Sequence, residues 1–456
     1  MSSKTAVDMR WHYEERVKDG VLRHPANSEA WKSLDRIRES FGNESRNVRL
    51  GLATDGFNPF GNMSVKYSLW PILLFPYNLP PWMLMKEPYV FMSLLIPGKK
   101  GPGQDIDVYM RPLIDELQDL WGIGVETYDI SKKQNFQMRA AIMWTINDYP
   151  AYAYMSGWST QGKLACPCCG SNTSHLNLHH GSKQFYMGHR RFLQLDHSWL
   201  NQKMQFDNTR EKRVAPTRPL GIDMINELSE LREITHNKNG TKQTIAGFGK
   251  THNWKKHSIF FKLPYWKTLL LRHNLDVMHI EKNVFENVIG TVMNIDGETK
   301  DSLNARLDLQ EMGIRSKLHP IEEAEKIIWP KADYELSNND KKAVFQWLMN
   351  LKVPDGYSAN ISRCVNAIEC IILGMKTHDC HVFLERLIPL VARELLLRDE
   401  CDALIEFSYF FRELCAKVLR IEDLELLENE IVLTFASWRK YSLLPFSISW
   451  FTYLVT

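Results

Sequence analysis

No stretch of about 18 uninterrupted apolar residues occurs in this chain, and its start, MSSKTAVDMRWHYEER, lacks the pattern of a signal peptide. Both absences lead to the expectation of a soluble, intracellular protein with no membrane partner. Excess charge of one sign is missing too. Lys and Arg number 56 against 54 Asp and Glu, a net +2, so any surface for nucleic acid has to be local. There is no Walker A sequence: the glycine-lysine loop PGKKGPG at 97–103 has neither its spacing nor the following Ser or Thr. There is no GxSxG elbow and no repeat of fixed period. Cysteine is scarce and unevenly placed. Of eight, three crowd into Cys166-Pro167-Cys168-Cys169 and the others fall between Cys364 and Cys415, a pattern of reduced thiols rather than of a disulfide framework.

What is present fits an ordinary globular chain, with 44% hydrophobic and 24% charged residues, and 456 residues suffice for two or three domains. Residues 1–47 are polar, with a short helix expected within 27–41, and read as a lead-in. Val48, Leu50, Leu52 and Ala53 predict a short, mostly buried strand, although Arg49 interrupts it. It stops at the breaker cluster Asp55-Gly56-Phe57-Asn58-Pro59. The runs LWPILLF and YVFMSLLIPG predict two further strands in an antiparallel meander. An amphipathic helix follows, with Met110, Leu113, Ile114, Leu117 and Leu120 on its apolar face. Strands are then expected over 125–130 and 138–146, the second ending at Asp148. Three strands, a helix and further strands is the order of a ribonuclease-H-like core. The expected class is therefore α/β, with that core at 48–165, a Cys/His-containing insertion at 166–335 and a mostly helical region at 336–456. Helices are expected there over 341–351, 361–373, 382–397, 401–419 and 423–432.

Three constellations could carry chemistry. Asp55 and Asp148 each end an apolar strand, and two such carboxylates at one sheet edge could hold divalent cations for attack on a phosphodiester; each is equally readable as an ordinary turn residue. Cys166 and Cys169 have the CxxC spacing of two corners of a zinc site. No second CxxC exists, so histidines would complete it, with His175, His179, His180, His273 and His279 as candidates; unliganded thiols in a turn are the alternative. The third is HNLDVMHIEKNVFEN, which gathers Asp276, His279, Glu281 and Glu286. A helical glutamate facing the two aspartates would be a third metal ligand, whereas the Glu281-Lys282 pair also suits a solvated face. Lys212, Arg213 and Arg218 make the insertion locally basic, as phosphate contacts or as a solvated surface.

The segments DMRWHYEERVKDGVLRHPANSEAW, NVRLGLATDGFNPFGNMSVKYSLWPILLFPYNLPPWM, LLIPGKKGPGQDIDVYMRPLIDEL, TINDYPAYAYMSGWSTQGKLACPCCG and HNLDVMHIEKNVFENVIGT closely resemble plant CACTA-type (En/Spm-type) DNA transposases, in order, over nearly the whole chain. That resemblance implies a ribonuclease-H-like core with an acidic triad, Mg²⁺ (or Mn²⁺) dependence, and cutting and joining of DNA at transposon ends and targets. It also implies action in the nucleus and a homo-oligomeric assembly. Position by position, Asp55 matches the first catalytic aspartate and Asp148 the second, Cys166 and Cys169 the CxxC that follows, and Asp276 with His279 the DxxH signature. Glu281 is the expected third acid, with Glu286 as its alternative and Glu428 or Glu430 beyond them. The expected structural zinc takes Cys166, Cys169, His273 and His279. Both ends depart from the family's pattern, and the SISWFTYLVT tail does not resemble it, so a truncated or decayed copy is expected.

Overall fold

The apolar run that begins at Val48 becomes the middle of a mixed five-stranded sheet in the computed structural model, which describes residues 3–60, 66–231, 245–323, 326–358 and 361–441. The chain divides into two compact units, the first made of residues 1–171, 218–276 and 417–421 and the second of 172–217, 277–416 and 422–456. The first is α/β and the second is mainly helical among the described residues.

In chain order the strands of the first unit are β1 (Val48–Thr54), β2 (Trp70–Pro76), β3 (Phe91–Ile96), β4 (Val125–Asp129), β5 (Gln134–Met138), β6 (Ala140–Asn147) and β7 (His273–Leu275). The order across the main sheet is β3-β2-β1-β6-β7. β1, β2 and β3 form the expected antiparallel meander, while β1 pairs parallel with β6 and β6 parallel with β7. β4 and β5 form a separate antiparallel hairpin, so the strand expected at 125–130 exists but stays outside the main sheet.

Helices pack this sheet through the residues that the helical period selects. α1 (Glu29–Ile37) is capped by Ser28, whose hydroxyl accepts from the Trp31 amide, and it buries Trp31 and Leu34. α2 (Ile106–Gly122) buries Met110, Leu113, Ile114 and Leu117 against a core shared with Leu52, Ile72, Ile142 and Met143. Each such side chain contributes roughly 1.5–3 kcal/mol when fully buried. Arg49, the residue that breaks the apolar pattern of β1, is also buried. Its guanidinium donates to Asp35 on α1 at 2.6 and 3.0 Å and lies over the rings of Trp31 and Phe41. The lead-in residues therefore close over the core instead of preceding it.

In the second unit the helices are α4 (Val277–Val292), α5 (Leu303–Glu311), α6 (Asn338–Met349), α7 (Thr377–Val382), α8 (Ile388–Leu395), α9 (Arg398–Leu414) and α10 (Ile421–Tyr441). Val288, Ile289 and Val292 of α4 line an apolar cavity with Ile388, Val391, Ala392 and Leu404. The helix expected over 361–373 is not formed. A short 3₁₀ turn at Ile361–Cys364 leads into a hairpin pairing Val365–Asn366 with Ile371–Ile372. Asn366 Oδ1 accepts from the amides of Ile368 and Glu369, which favours a turn over a helix, and the β-branched residues beside it suit extended backbone. The tail with SISWFTYLVT lies outside the described residues.

Two stability predictions follow from the first unit. Gly51 sits at an irregularity in the β1–β6 ladder, and a Cβ on it would overlap the Tyr77 hydroxyl, which accepts from Trp144 Nε1 at 3.1 Å. Because the same Cβ would also overlap the Tyr77 ring, Gly51→Ala is expected to cost about 1–3 kcal/mol in chemical denaturation. His12 is buried beside Trp31 and Asn78, and burial, followed by the Arg49 charge, lowers its pKa to about 3. The unfolded chain takes up that proton near pH 6.5, so stability falls as pH drops below this value. Going from pH 6.5 to 5 is expected to cost roughly 2 kcal/mol through His12, and urea melts of His12→Gln should show a correspondingly shallower pH dependence.

Candidate active site

Three aspartates leave the main sheet at the same end. In the ladder, Thr54 of β1 lies opposite Asn147 of β6, and Asn147 lies opposite Leu275 of β7. The next residue on each strand is an acid: Asp55, Asp148 and Asp276. Because the three strands are parallel neighbours, these positions follow the carboxyl ends of adjacent strands, where ligands of open α/β sheets bind. The Asp276 amide donates to the Asn147 carbonyl at 2.8 Å, which extends the ladder up to this row.

Local chemistry holds each of them. Asp55 is exposed, and its Oδ1 accepts from the Gly56 amide at 2.6 Å. Gly56 is required there because a Cβ would strike the Trp70 indole. Phe57 and Leu69 then exchange backbone hydrogen bonds, fixing the exit of the chain toward β2. Asp148 is half-buried and is the N-cap of α3 (Tyr149–Ser156), accepting from the Ala151 amide at 2.8 Å, with Pro150 in the first turn. Asp276 is half-buried too. Beside the row, His273 Nδ1 and Thr145 Oγ1 lie 2.8 Å apart, and Asn147 Nδ2 donates to the same hydroxyl at 2.7 Å. Burial, followed by the Arg272 and Lys256 charges, lowers the His273 pKa to about 3, so its imidazole is neutral at neutral pH.

The oxygens of the three aspartates do not all come within 4.8 Å of one another. Among the described residues, such a triple of His, Cys, Asp or Glu is formed by Glu281, Glu385 and Cys415. Cys166, Cys168 and Cys169 are buried, and the Cys169 amide donates to Cys166 Sγ at 3.4 Å. Burial pushes the Cys166 thiol up to about 12. His273 does not join Cys166 and Cys169 in a triple of that kind. His279 is half-buried in the first turn of α4, where its carbonyl accepts from Asn283.

Glu281 lies in the second unit, fully buried, with His381 as its hydrogen-bond partner. Glu286 is exposed and forms an ion pair with Lys282 at 3.7 Å; Glu428 is exposed and Glu430 half-buried on α10. Arg213 is held by Glu211 at 2.7 Å. Arg218 lines an open cavity of the first unit together with Tyr152, Trp158, Cys168, Trp254, Arg272 and His273. Sequence pattern alone did not single out Asp276 as a strand-end acid. The strand before it has three residues, too few for alternation to be read, and its partner is visible only in the ladder.

Residues 19–231 match the model of the transposase family tnp2. The matched segment holds Asp55, Asp148 and the cysteine cluster and ends before Asp276. No curated protein matches the chain. No helix among the described residues is long and apolar enough to cross a membrane.

The double duty of Asp148 is testable. Asp148→Ala removes the cap and is expected to lower stability by about 1 kcal/mol in chemical denaturation, whereas Asp148→Asn, which still caps, should lie within a few tenths of the parent.

Proposed function

We propose that this chain carries a ribonuclease-H-like transposase core of the CACTA type, which cuts and joins DNA at transposon ends in the nucleus. The observation that carries this reading is the row Asp55, Asp148 and Asp276 at the carboxyl ends of three neighbouring parallel strands, in a sheet ordered β3-β2-β1-β6-β7. The family match over residues 19–231 supports it independently.

Hard carboxylate oxygens gathered at one sheet end suit Mg²⁺ or Mn²⁺, and close approach of the three like charges is favoured by a cation between them. In this reading Asp55, Asp148 and Asp276 hold the ions. Bound divalent metal supplies charge stabilisation at the phosphodiester and a lowered pKa for an attacking water or 3′-hydroxyl. The chain's own part is placement. The Ala151 amide restrains Asp148, the Gly56 amide restrains Asp55, and the ladder fixes the Asp276 backbone. Glu281, whose carboxylate is turned to His381, is not assigned to this row. The same reading makes Cys166 and Cys169 the thiolates of a structural zinc, supported by the N–H···S bond between them. His273 is not counted among its ligands, since it joins Cys166 and Cys169 in no close triple among the described residues.

Purified protein incubated with Mg²⁺ and labelled transposon-end DNA is expected to nick it. Asp55→Asn, Asp148→Asn and Asp276→Asn should each lower the rate roughly 100-fold or more, the scale on which loss of one charge-stabilising group is felt. Absence of nicking by the parent protein, or nicking unaffected by Asp55→Asn, overturns the reading. Retention of the DNA without nicking would point to a DNA-binding remnant.

A further inference from the structure

The second unit contains a cluster that the proposed transposase chemistry does not use. Glu281 extends from α4, Glu385 from the turn between α7 and α8, and Cys415 caps the C-terminus of α9. One oxygen from each carboxylate and the Cys415 sulfur all lie within 4.8 Å of one another. His381, on α7, approaches the same place, its Nδ1 on Glu281 Oε2.

Local sequence explains how three separate elements supply this cluster. Pro389 has no amide hydrogen to give, and its ring crowds the carbonyl four residues earlier, that of Glu385. The helix answers with a π-helical turn over Phe383–Leu387, then resumes as α8. His381 and Glu385 stand four residues apart on either side of the start of that turn, both directed at Glu281.

An ion pair between Glu281 and His381 does not account for the arrangement. Glu281 is 0% exposed, yet its Oε1 has no hydrogen-bond partner among the described residues. The Nε2 of His381, a residue only 7% exposed, has none either. A buried carboxylate oxygen left bare is costly, so native proteins rarely keep one without a ligand, water or ion to meet it. The pair also gives no reason for a second carboxylate and a thiol to converge on the same oxygens.

The geometry points to a divalent transition-metal site in the helical unit, with Glu281, Glu385 and Cys415 as ligands and His381 as the positioning residue that orients Glu281. The donor set selects the class of ion. A thiolate beside two carboxylates suits a borderline ion such as zinc or cobalt better than Mg²⁺ or Ca²⁺, which prefer oxygen donors throughout. His381 Nδ1 against the carboxylate gives the carboxylate–histidine pairing that commonly steadies a metal ligand. Cys415 is exposed, so the ion has a path from solvent, and on binding the thiol proton leaves to water. The site would tie α4, the α7–α8 turn and the end of α9 together. It does not rest on the nuclease reading.

Co²⁺ is the probe, because a cobalt–thiolate bond gives a near-ultraviolet charge-transfer band. The full chain, stripped with chelator and titrated with Co²⁺, is expected to show a saturable band, and the difference spectrum between parent and Cys415→Ser isolates this site from Cys166 and Cys169. Glu385→Gln, a change at a half-buried position, is expected to weaken Co²⁺ binding at this site by about 10–100-fold, the range that loss of a supporting metal contact produces. His381→Asn tests positioning: Co²⁺ should still bind with a thiolate band, but more weakly. No saturable band in the parent overturns the proposal, as does a band unchanged in Cys415→Ser with affinity unchanged in Glu385→Gln.

Discussion

The parallel ladder between β1 and β6 is the constraint from which the candidate active site derives. Residues 48 and 140 are far apart in sequence, and the β4–β5 hairpin with α2 intervenes between them. Once Val48 is opposite Ala140, every later partner is fixed through the irregularity at Gly51, up to Thr54 against Asn147. A register slip of one residue would turn Asp55 and Asp148 away from their common end and reverse the side-chain faces of a strand that is buried almost throughout. β7 adds a third member to the same ladder, and the Asp276 amide continues it by one bond.

That ladder is itself held by groups that a reading of hydropathy discounts. Arg49 lies in the middle sheet strand, and its charge is tolerated because Asp35 pairs with it and two aromatic rings face it. Removing one partner of a buried pair leaves the other charge uncompensated, which is far more costly than the pair is stabilising. Asn78 and Asn47 complete the strand's polar contacts: Asn78 Oδ1 accepts from the Arg49 amide, and Asn47 Oδ1 accepts from the Arg139 amide just before β6. Trp31, Leu34 and Phe41, from a segment that resembles a polar lead-in, are thus part of the core of the first unit.

Much of the first unit could be read locally. β1, β2, β3 and β6 announce themselves by apolar runs closed by breakers, and α2 by its spacing, because each buries enough side chains to impose a period. The reading failed where side chains or distant partners outweigh the period. Residues 361–373 have apolar residues at helical intervals, but the Asn366 side chain captures the amides of Ile368 and Glu369 and a hairpin forms instead. The segment at 125–130 is a strand, yet its partner is β5 and not the main sheet. Glu281 lies off the apolar stripe of its helix and still is fully buried, since His381 and Glu385, about a hundred residues away in sequence, come to meet it.

The sequence by itself determined the strand ends at Asp55 and Asp148, the CxxC turn and the resemblance to transposases, because breakers, caps and cysteine spacing act over a few residues. Only the tertiary structure decided that Asp276 stands in the same row and that Glu281 faces Glu385 and Cys415 within a helical unit. Neither arrangement has a local signature. A three-residue strand carries no readable period, and a carboxylate on a helix gives no sign of which remote side chain will approach it. The row of acids at the end of β1 is therefore a property of pairing, set when distant strands find their register.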